Sequence, residues 1–142
     1  MTELVEKKIM IVDDNEFSRV LILTKLKKHG YKNITTPETS IEAWDLIANA
    51  VVLGESFDLI ITDLNMPHLD GMELITKIKE DPMSADTKII VVSADADQVI
   101  KNITLSLGAA AYLVKPVVPK ELVSVVEAVL SGTKIPEVKG MF

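Results

Sequence analysis

The stretch from residue 59 to residue 71 reads LIITDLNMPHLDG, and it contains the transition on which the fold depends. Its first part, Leu59 to Ile61, is a short apolar run without in/out alternation, which is typical of a strand buried on both faces of a parallel sheet. The run ends at Thr62 and Asp63, and apolar residues at helical spacing follow a Pro-containing turn. A strand followed by a crossover helix is the unit from which parallel sheets are built.

The same unit recurs along the whole chain. A fifth and more polar run, Asn33 to Thr36, stops at Pro37 and is therefore predicted to be an edge strand. Glycines follow most of the helical stretches and predict where those helices end. The remaining strands are predicted at Ile9 to Val12, Ile89 to Val92 and Ala111 to Val114, and the helical stripes at Ile22, Leu23 and Leu26; Trp44, Ile47 and Val51; Leu74, Ile75 and Ile78; Val99, Ile100, Ile103 and Leu107; and Leu122, Val125, Val126 and Val129.

Five strands that alternate with five helices predict an α/β domain with a doubly wound, five-stranded parallel sheet. Right-handed crossovers with helices on both faces favour the flavodoxin-like strand order 2-1-3-4-5. We expect one domain over residues 1–132, followed by a short and mobile C-terminal tail over residues 133–142. In such folds ligands bind beyond the carboxyl ends of the strands, so the functional residues are sought there.

The composition of the 142 residues excludes several classes of function. A formal net charge of -6 argues against a nucleic-acid interface, which would need clustered Lys and Arg. The chain has no Cys, so disulfides, zinc-thiolate sites and cysteine nucleophiles are excluded. Because the apolar runs are short and the N-terminus is acidic, neither a membrane span nor a secretion signal is predicted, and we expect a cytoplasmic protein.

Polar residues stand at or just past the end of each of the four apolar strands. Because the carboxyl ends of parallel strands meet at one edge of the sheet, these residues should converge on one cleft. A single carboxylate after a strand is more often a turn former or a helix cap, so the prediction depends on the whole set. The set consists of Asp13, Asp14, Asp63, Ser93 and Lys115.

Together these side chains form a recognisable chemical set. Three neighbouring carboxylates repel one another unless a cation lies among them, and Mg²⁺ prefers oxygen ligands and often binds through carboxylates and a phosphate oxygen. One carboxylate can then attack phosphorus as a nucleophile and give an aspartyl phosphate. Lys115 offers a counter-charge, and Ser93 offers a hydroxyl donor to a phosphoryl oxygen.

These residues and their surroundings resemble the receiver domains of two-component response regulators, the CheY-like family. The resemblance covers roughly residues 7–131, and its motifs are highly specific in combination. They are Ile11–Asn15, Thr62–Pro67, Leu69–Gly71, Val92–Ala94 and Tyr112–Pro116.

The resemblance implies a role for each residue of the set. Asp63 would be the phosphoacceptor, and Asp13, Asp14, Asp63 and the backbone carbonyl of Asn65 would hold Mg²⁺, with Mn²⁺ as an alternative. The phosphoryl group would come from a phosphohistidine of a sensor histidine kinase or a histidine phosphotransfer protein.

Further roles follow from the same resemblance. Ser93 and Lys115 would bind the phosphoryl group, and Tyr112 would be the switch aromatic, although a tyrosine packed at the end of an outer strand with its hydroxyl in water is the alternative. Pro116 would follow a cis peptide bond. Two further residues, Asn65 and Asp95, would tune how long the phosphate survives, against the alternative that Asp95 is a solvated loop residue.

The chain departs from the family pattern in two places. The second helix carries about five extra residues within Ala48 to Leu53, and their apolar side chains could either form an exposed patch or pack over the sheet edge. The last helix begins Val117-Val118-Pro119 where an aromatic residue and then a polar cap would be usual, so its start relies on Pro119.

The function predicted from the sequence is a phosphorylation-controlled signalling switch rather than an enzyme. Its output face would consist of the fourth helix, the fifth strand and the fifth helix, and would act on an unknown downstream protein, with a homodimer left open. One alternative is a degenerate receiver that serves only as an interaction module. The other is a magnesium-dependent phosphatase, which typically needs a second acid two residues after the nucleophile, where this chain has Asn65.

Overall fold

The computed structural model of the protein describes residues 2–136, in which five strands alternate with the helices. The strands are β1 (Lys8–Val12), β2 (Asn33–Thr35), β3 (Leu59–Thr62), β4 (Lys88–Ser93) and β5 (Ala111–Val114). The helices are α1 (Thr2–Val5), α2 (Glu16–Lys28), α3 (Ser40–Val52), α4 (Gly71–Glu80), α5 (Gln98–Ser106) and α6 (Pro119–Ser131).

The strands form one parallel sheet in the order β2-β1-β3-β4-β5. This order and the doubly wound architecture confirm the predicted fold. The five predicted helices correspond to α2 through α6, and the single turn of α1 precedes them. Among residues 2–136, β2 pairs only with β1, as expected for an edge strand.

Successive residues of a strand point to opposite faces of the sheet, and in this protein both faces are buried. Ile9 and Ile11 of β1 belong to a core cluster with residues of α2 and α6. Their neighbours Met10 and Val12 belong to a second cluster with residues of α3 and α4. Burial on both faces explains why the strand residues are uninterruptedly apolar.

The predicted apolar stripe of α5 was wrong in part. Val99 and Ile103 are 62% and 43% exposed, whereas Lys101 and Thr104 are almost fully buried. On the face of α5 that packs against β5, the Lys101 side chain lies over the ring of Tyr112. A long lysine stem can cover apolar surface as an aliphatic residue does, and periodicity counts lysine as polar.

The end of α3 exposes its last apolar residues to solvent. Ala43, Ile47 and Ala50 form the buried side of the helix. Val52 and Leu53 are 83% and 70% exposed. Of the two arrangements left open by the sequence, the structure shows the exposed patch.

The C-terminal tail predicted over residues 133–142 is described only as far as residue 136. Residues 137–142 of the predicted mobile tail lie outside the described residues. Within the described part of the tail, Ile135 packs against the cluster formed with α2 and α6. Between residues 2 and 136, no helix is long and apolar enough to cross a membrane.

Helix α6 begins without a side-chain cap. Val118 is the N-cap residue and makes no capping hydrogen bond, and Pro119 occupies the first turn. An Asp at the N-cap position accepts a hydrogen bond from the first turn and adds a negative charge at the positive end of the helix dipole.

Val118→Asp is therefore expected to raise the free energy of unfolding by about 1 kcal/mol. Urea denaturation followed by circular dichroism measures this change. Val118→Ala, which offers no cap, is the control and should not stabilise the protein. Equal stability of the two variants would contradict the expected stabilisation by a side-chain cap at this helix start.

Candidate functional site

The carboxyl ends of β1, β3, β4 and β5 bring the predicted site residues to one edge of the sheet. The last residues of β1 and β3 are paired in register, and Ser93 is paired with Val114. Just past these pairs, the Asp63 N–H donates to the Val12 carbonyl at 3.0 Å and the Lys115 N–H donates to the Ser93 carbonyl at 2.8 Å. The hydrogen-bond ladder therefore fixes the backbone from which Asp63 and Lys115 project.

The centre of the site is an ammonium group between two carboxylates. The Nζ of Lys115 lies 2.8 Å from Oδ2 of Asp13 and 2.9 Å from Oδ2 of Asp63. Both aspartates are buried, and the Lys115 side chain is mostly buried. A charge-assisted hydrogen bond to each carboxylate compensates for the removal of these charges from water.

The electrostatics of this centre follow from burial and pairing. Burial raises the pKa of Asp13 above its ordinary value, although the hydrogen bond from Lys115 works in the opposite direction. Burial also disfavours the charged form of Lys115, but the two carboxylates together outweigh burial and raise the pKa of the lysine. Lys115 is therefore a firmly protonated cation at neutral pH.

The second oxygen of the Asp63 carboxylate is held by the backbone. Oδ1 of Asp63 accepts from the Leu64 N–H at 2.6 Å and, at a longer 3.4 Å, from the Asn65 N–H. The Thr62 hydroxyl donates to the Asp63 carbonyl at 2.8 Å. The orientation of the Asp63 side chain is thus set from both sides, by Lys115 and by the loop that follows β3.

The turn that carries Asp13 is organised by the start of α2. Asn15 is the N-cap residue, and its own N–H donates to Oδ1 of Asp13 at 2.9 Å. An Nη1 of Arg19 donates to the Asp13 backbone carbonyl at 2.7 Å. Arg19 was not predicted as a site residue. The signal for it is that it is the only arginine of the chain and stands about one turn into the helix that follows Asp13 and Asp14.

Three carboxylates form the candidate metal site. One carboxylate oxygen from each of Asp13, Asp14 and Asp63 lies within 4.8 Å of the others. Asp14 is exposed, whereas the other two are buried. The donor set consists of hard oxygen atoms without nitrogen or sulfur, which fits a small divalent cation such as Mg²⁺.

The other predicted residues surround this centre. Ser93 is buried at the end of β4, and its Oγ accepts from the Asp95 N–H at 3.2 Å. Tyr112 is 2% exposed, and its hydroxyl donates to the Asp95 carbonyl at 2.7 Å. The tyrosine therefore points inward with its hydroxyl bound to protein, and burial raises its pKa.

The remaining predicted residues lie in loops. The side chain of Asn65 is exposed beside the acceptor. The carboxylate of Asp95 accepts from the Asp97 N–H at 3.0 Å and so helps to shape the loop before α5. The peptide bond between Lys115 and Pro116 is cis.

Gly71 lies where the start of α4 comes very close to the backbone of the acceptor loop. In the sequence this glycine is recognisable only as part of the motif Leu69–Gly71. Its N–H donates to the Leu64 carbonyl at 2.9 Å, and a Cβ at this position would overlap the backbone carbonyl oxygen of Asp63. Asp70 and Glu73 form a capping box that fixes the start of α4 at this point. The absence of a side chain at Gly71 thus lets α4 begin directly against the acceptor loop.

Gly71→Ala should lower the free energy of unfolding by roughly 1–3 kcal/mol, because the added methyl group displaces the Asp63 backbone. Urea denaturation measures the loss. Gly54→Ala is the control: a Cβ at Gly54 meets no atom, so this variant incurs only the backbone strain of a positive φ, about 1 kcal/mol. A smaller loss for Gly71→Ala than for Gly54→Ala would contradict the proposed clash.

The sheet order together with the bridged carboxylate cluster defines a CheY-type receiver domain, a class of signalling domain that acts as a switch. The model of the response regulator receiver domain family matches residues 9–127, and the chain belongs to this family.

Relatives and solved structures agree with this assignment. The chain is 32% identical over 123 residues to a chemotaxis protein CheY homolog of Campylobacter jejuni, covering 87% of this chain and 92% of the relative. It is 35% identical over 130 residues to the phosphate regulon transcriptional regulatory protein PhoB of Pseudomonas aeruginosa, covering 92% of this chain and 54% of PhoB. The structure of the chemotaxis response regulator CheY4 of Vibrio cholerae superimposes with a TM-score of 0.77 at 27% identity, covering 87% of this chain and 98% of that one.

Proposed function

We propose that Asp63 accepts a phosphoryl group from a phosphohistidine of a sensor histidine kinase or a histidine phosphotransfer protein, and that the domain then relays the signal through its surface. The observation that supports this function best is the Lys115 ammonium, which contacts both Asp13 and Asp63 at the acid cluster. This arrangement orients the Asp63 carboxylate for attack on phosphorus and places a counter-charge beside it.

In the proposed transfer, a carboxylate oxygen of Asp63 forms the new bond to phosphorus while the bond from phosphorus to the donor's imidazole nitrogen breaks. The imidazole leaves as neutral histidine after it takes up a proton. Mg²⁺ held by Asp13, Asp14, Asp63 and the Asn65 carbonyl would offset the charge of the phosphoryl oxygens. Lys115 then pairs with a phosphoryl oxygen instead of the Asp63 carboxylate, and the Ser93 hydroxyl donates to another oxygen.

An apolar surface beside the site suits the approach of the donor. A cavity of about 270 Å³ is lined by Phe17, Leu21, Pro116 and Val117, next to Lys115. Phe17 is 77% exposed, and an exposed aromatic residue with an apolar neighbourhood is typical of a protein interface. We infer that the donor protein covers this surface while its histidine reaches Asp63.

The proposed output surface consists of α5, β5 and α6. Tyr112 of β5 connects this surface to the site, because its hydroxyl binds the Asp95 carbonyl and the Asp95 N–H binds Ser93. Val99 and Ile103 of α5 leave apolar groups exposed there. A downstream protein, or a second copy of this chain, would contact these groups once phosphorylation stabilises one arrangement of the surface.

The alternative functions have less support. A degenerate receiver would not need the complete set of acid cluster, lysine and hydroxyl. A phosphatase of the Asp-nucleophile class would need an acid two residues after Asp63, where this chain has the exposed Asn65.

Incubation with acetyl phosphate and Mg²⁺ should give a labile adduct of about 80 mass units, the mass of one phosphoryl group, because Asp63 is the nucleophile. Mass spectrometry of the intact protein measures the adduct. It should be lost in Asp63→Asn and retained in Asp45→Asn, the exposed control on α3. An adduct that persists in Asp63→Asn would refute the proposed acceptor.

Asp95 is proposed to shorten the lifetime of the phosphate by orienting an attacking water. Asp95→Ala should therefore slow the loss of the adduct several-fold, as followed by mass spectrometry after removal of acetyl phosphate. Asp97→Ala is the matched control, since Asp97 caps α5 in the same loop, and it should leave the lifetime unchanged. Equal lifetimes of wild type and Asp95→Ala would rule out this role.

A further inference from the structure

The most unusual side chain outside the acid cluster is Lys101 of α5. It is 2% exposed, although lysine is rarely buried so completely in proteins. Its Nζ lies 5.8 Å from the centroid of the Tyr112 ring. This distance is within the range in which an ammonium is attracted to the face of an aromatic ring.

Tyr112 is held at two places that belong to different parts of the domain. Its hydroxyl donates to the Asp95 carbonyl in the loop after β4. Its ring lies beside the Lys101 ammonium of α5. The Asp95 N–H in turn donates to Ser93, so contacts run without a break from Lys101 through Tyr112 and Asp95 to Ser93 at the phosphoryl-binding end of β4.

We propose that Lys101 is a positioning residue that favours the inward orientation of Tyr112 and thereby couples α5 to the phosphorylation site. This inference rests on the proposed function, because Tyr112 is taken there as the residue that responds to phosphorylation. The group that Lys101 binds in this proposal is the face of the Tyr112 ring. The ammonium can contact that face only while the tyrosine points inward.

The physical reason is the charge distribution of the aromatic ring. The ring face is negative and the edge is positive, so the ammonium stabilises the orientation that presents the face to it. Burial lowers the pKa of Lys101 by disfavouring its charged form. Because the ammonium has lost contact with water, each favourable contact with the protein contributes more to its stability. If Tyr112 rotates outward, Lys101 loses the ring, and the two side chains therefore change position together.

By linkage, the coupling acts in both directions. Phosphorylation that draws Ser93 and its loop toward the phosphoryl group stabilises the inward tyrosine, and the inward tyrosine stabilises the position of Lys101 on α5. A protein that binds α5 more tightly when Lys101 faces the ring would in turn raise the inward population of Tyr112. Removal of the Lys101 charge should weaken this connection while the apolar packing of the stem remains.

The experiment uses 3-fluorotyrosine and ¹⁹F NMR, because the chain contains only two tyrosines. Tyr112→Phe assigns the resonances. Lys101→Met keeps the unbranched apolar stem, one heavy atom shorter, but not the charge. In this variant the outward-to-inward ratio of Tyr112 should rise roughly 2- to 30-fold, as judged from the shift and exchange broadening of its resonance. Lys101→Arg should restore the spectrum of the wild type.

A partly buried lysine provides the control. Lys79 of α4 donates to the carbonyls of Ala85 and Thr87 at 2.8 and 2.7 Å, so Lys79→Met removes a partly buried charge that pairs with backbone carbonyls instead of with an aromatic ring. Its Tyr112 resonance should match that of the wild type. An unchanged Tyr112 resonance in Lys101→Met, or the same change in Lys79→Met, would overturn the proposal.

Beryllofluoride with Mg²⁺ separates this inference from the proposed function. In the wild type it should shift the Tyr112 resonance, and Lys101→Met should need a higher beryllofluoride concentration for the same shift, by about the factor measured without it. If the wild type does not respond to beryllofluoride, the proposed function fails. The comparison of unphosphorylated wild type and Lys101→Met then still decides whether Lys101 positions Tyr112.

Discussion

The contact of the Lys115 ammonium with Asp13 and Asp63 is the constraint on which the rest of the structure depends. Two buried carboxylates and an ammonium are stable together only if their hydrogen bonds are short and well directed, as the distances of 2.8 and 2.9 Å show. That geometry requires β1 and β3 to end level with each other and β5 to continue two residues farther, so that Lys115 follows Val114. It therefore links the register of the sheet to the chemistry at its edge.

Much of this arrangement could be predicted from the sequence. Uninterrupted apolar strands such as Leu59 to Ile61 identify a sheet covered on both faces, and the parallel topology then brings Asp13, Asp63, Ser93 and Lys115 to one edge. Position along the chain is enough for this step, because a parallel strand has only one carboxyl end. The prediction of the site was specific because several residue types occur together, whereas each aspartate alone is an ordinary turn residue.

Other features depend on through-space contacts that no local pattern encodes. The closeness of Gly71 to the Asp63 carbonyl arises from the angle at which α4 leaves the acceptor loop. The rotation of α5 buries Lys101 and exposes Val99 and Ile103, which reverses the order that their polarity predicts. Arg19 acts through a backbone carbonyl, so its partner cannot be identified by residue type.

The two edges of the sheet have a consequence for how the domain avoids aggregation. β2 contains three residues and β5 four, and Pro37 follows β2 after a single intervening residue. Short edge strands offer few free N–H and C=O groups to an incoming strand, and a proline interrupts the template. Backbone pairing between copies is therefore disfavoured, and recognition by other proteins is left to side chains on the helices and loops.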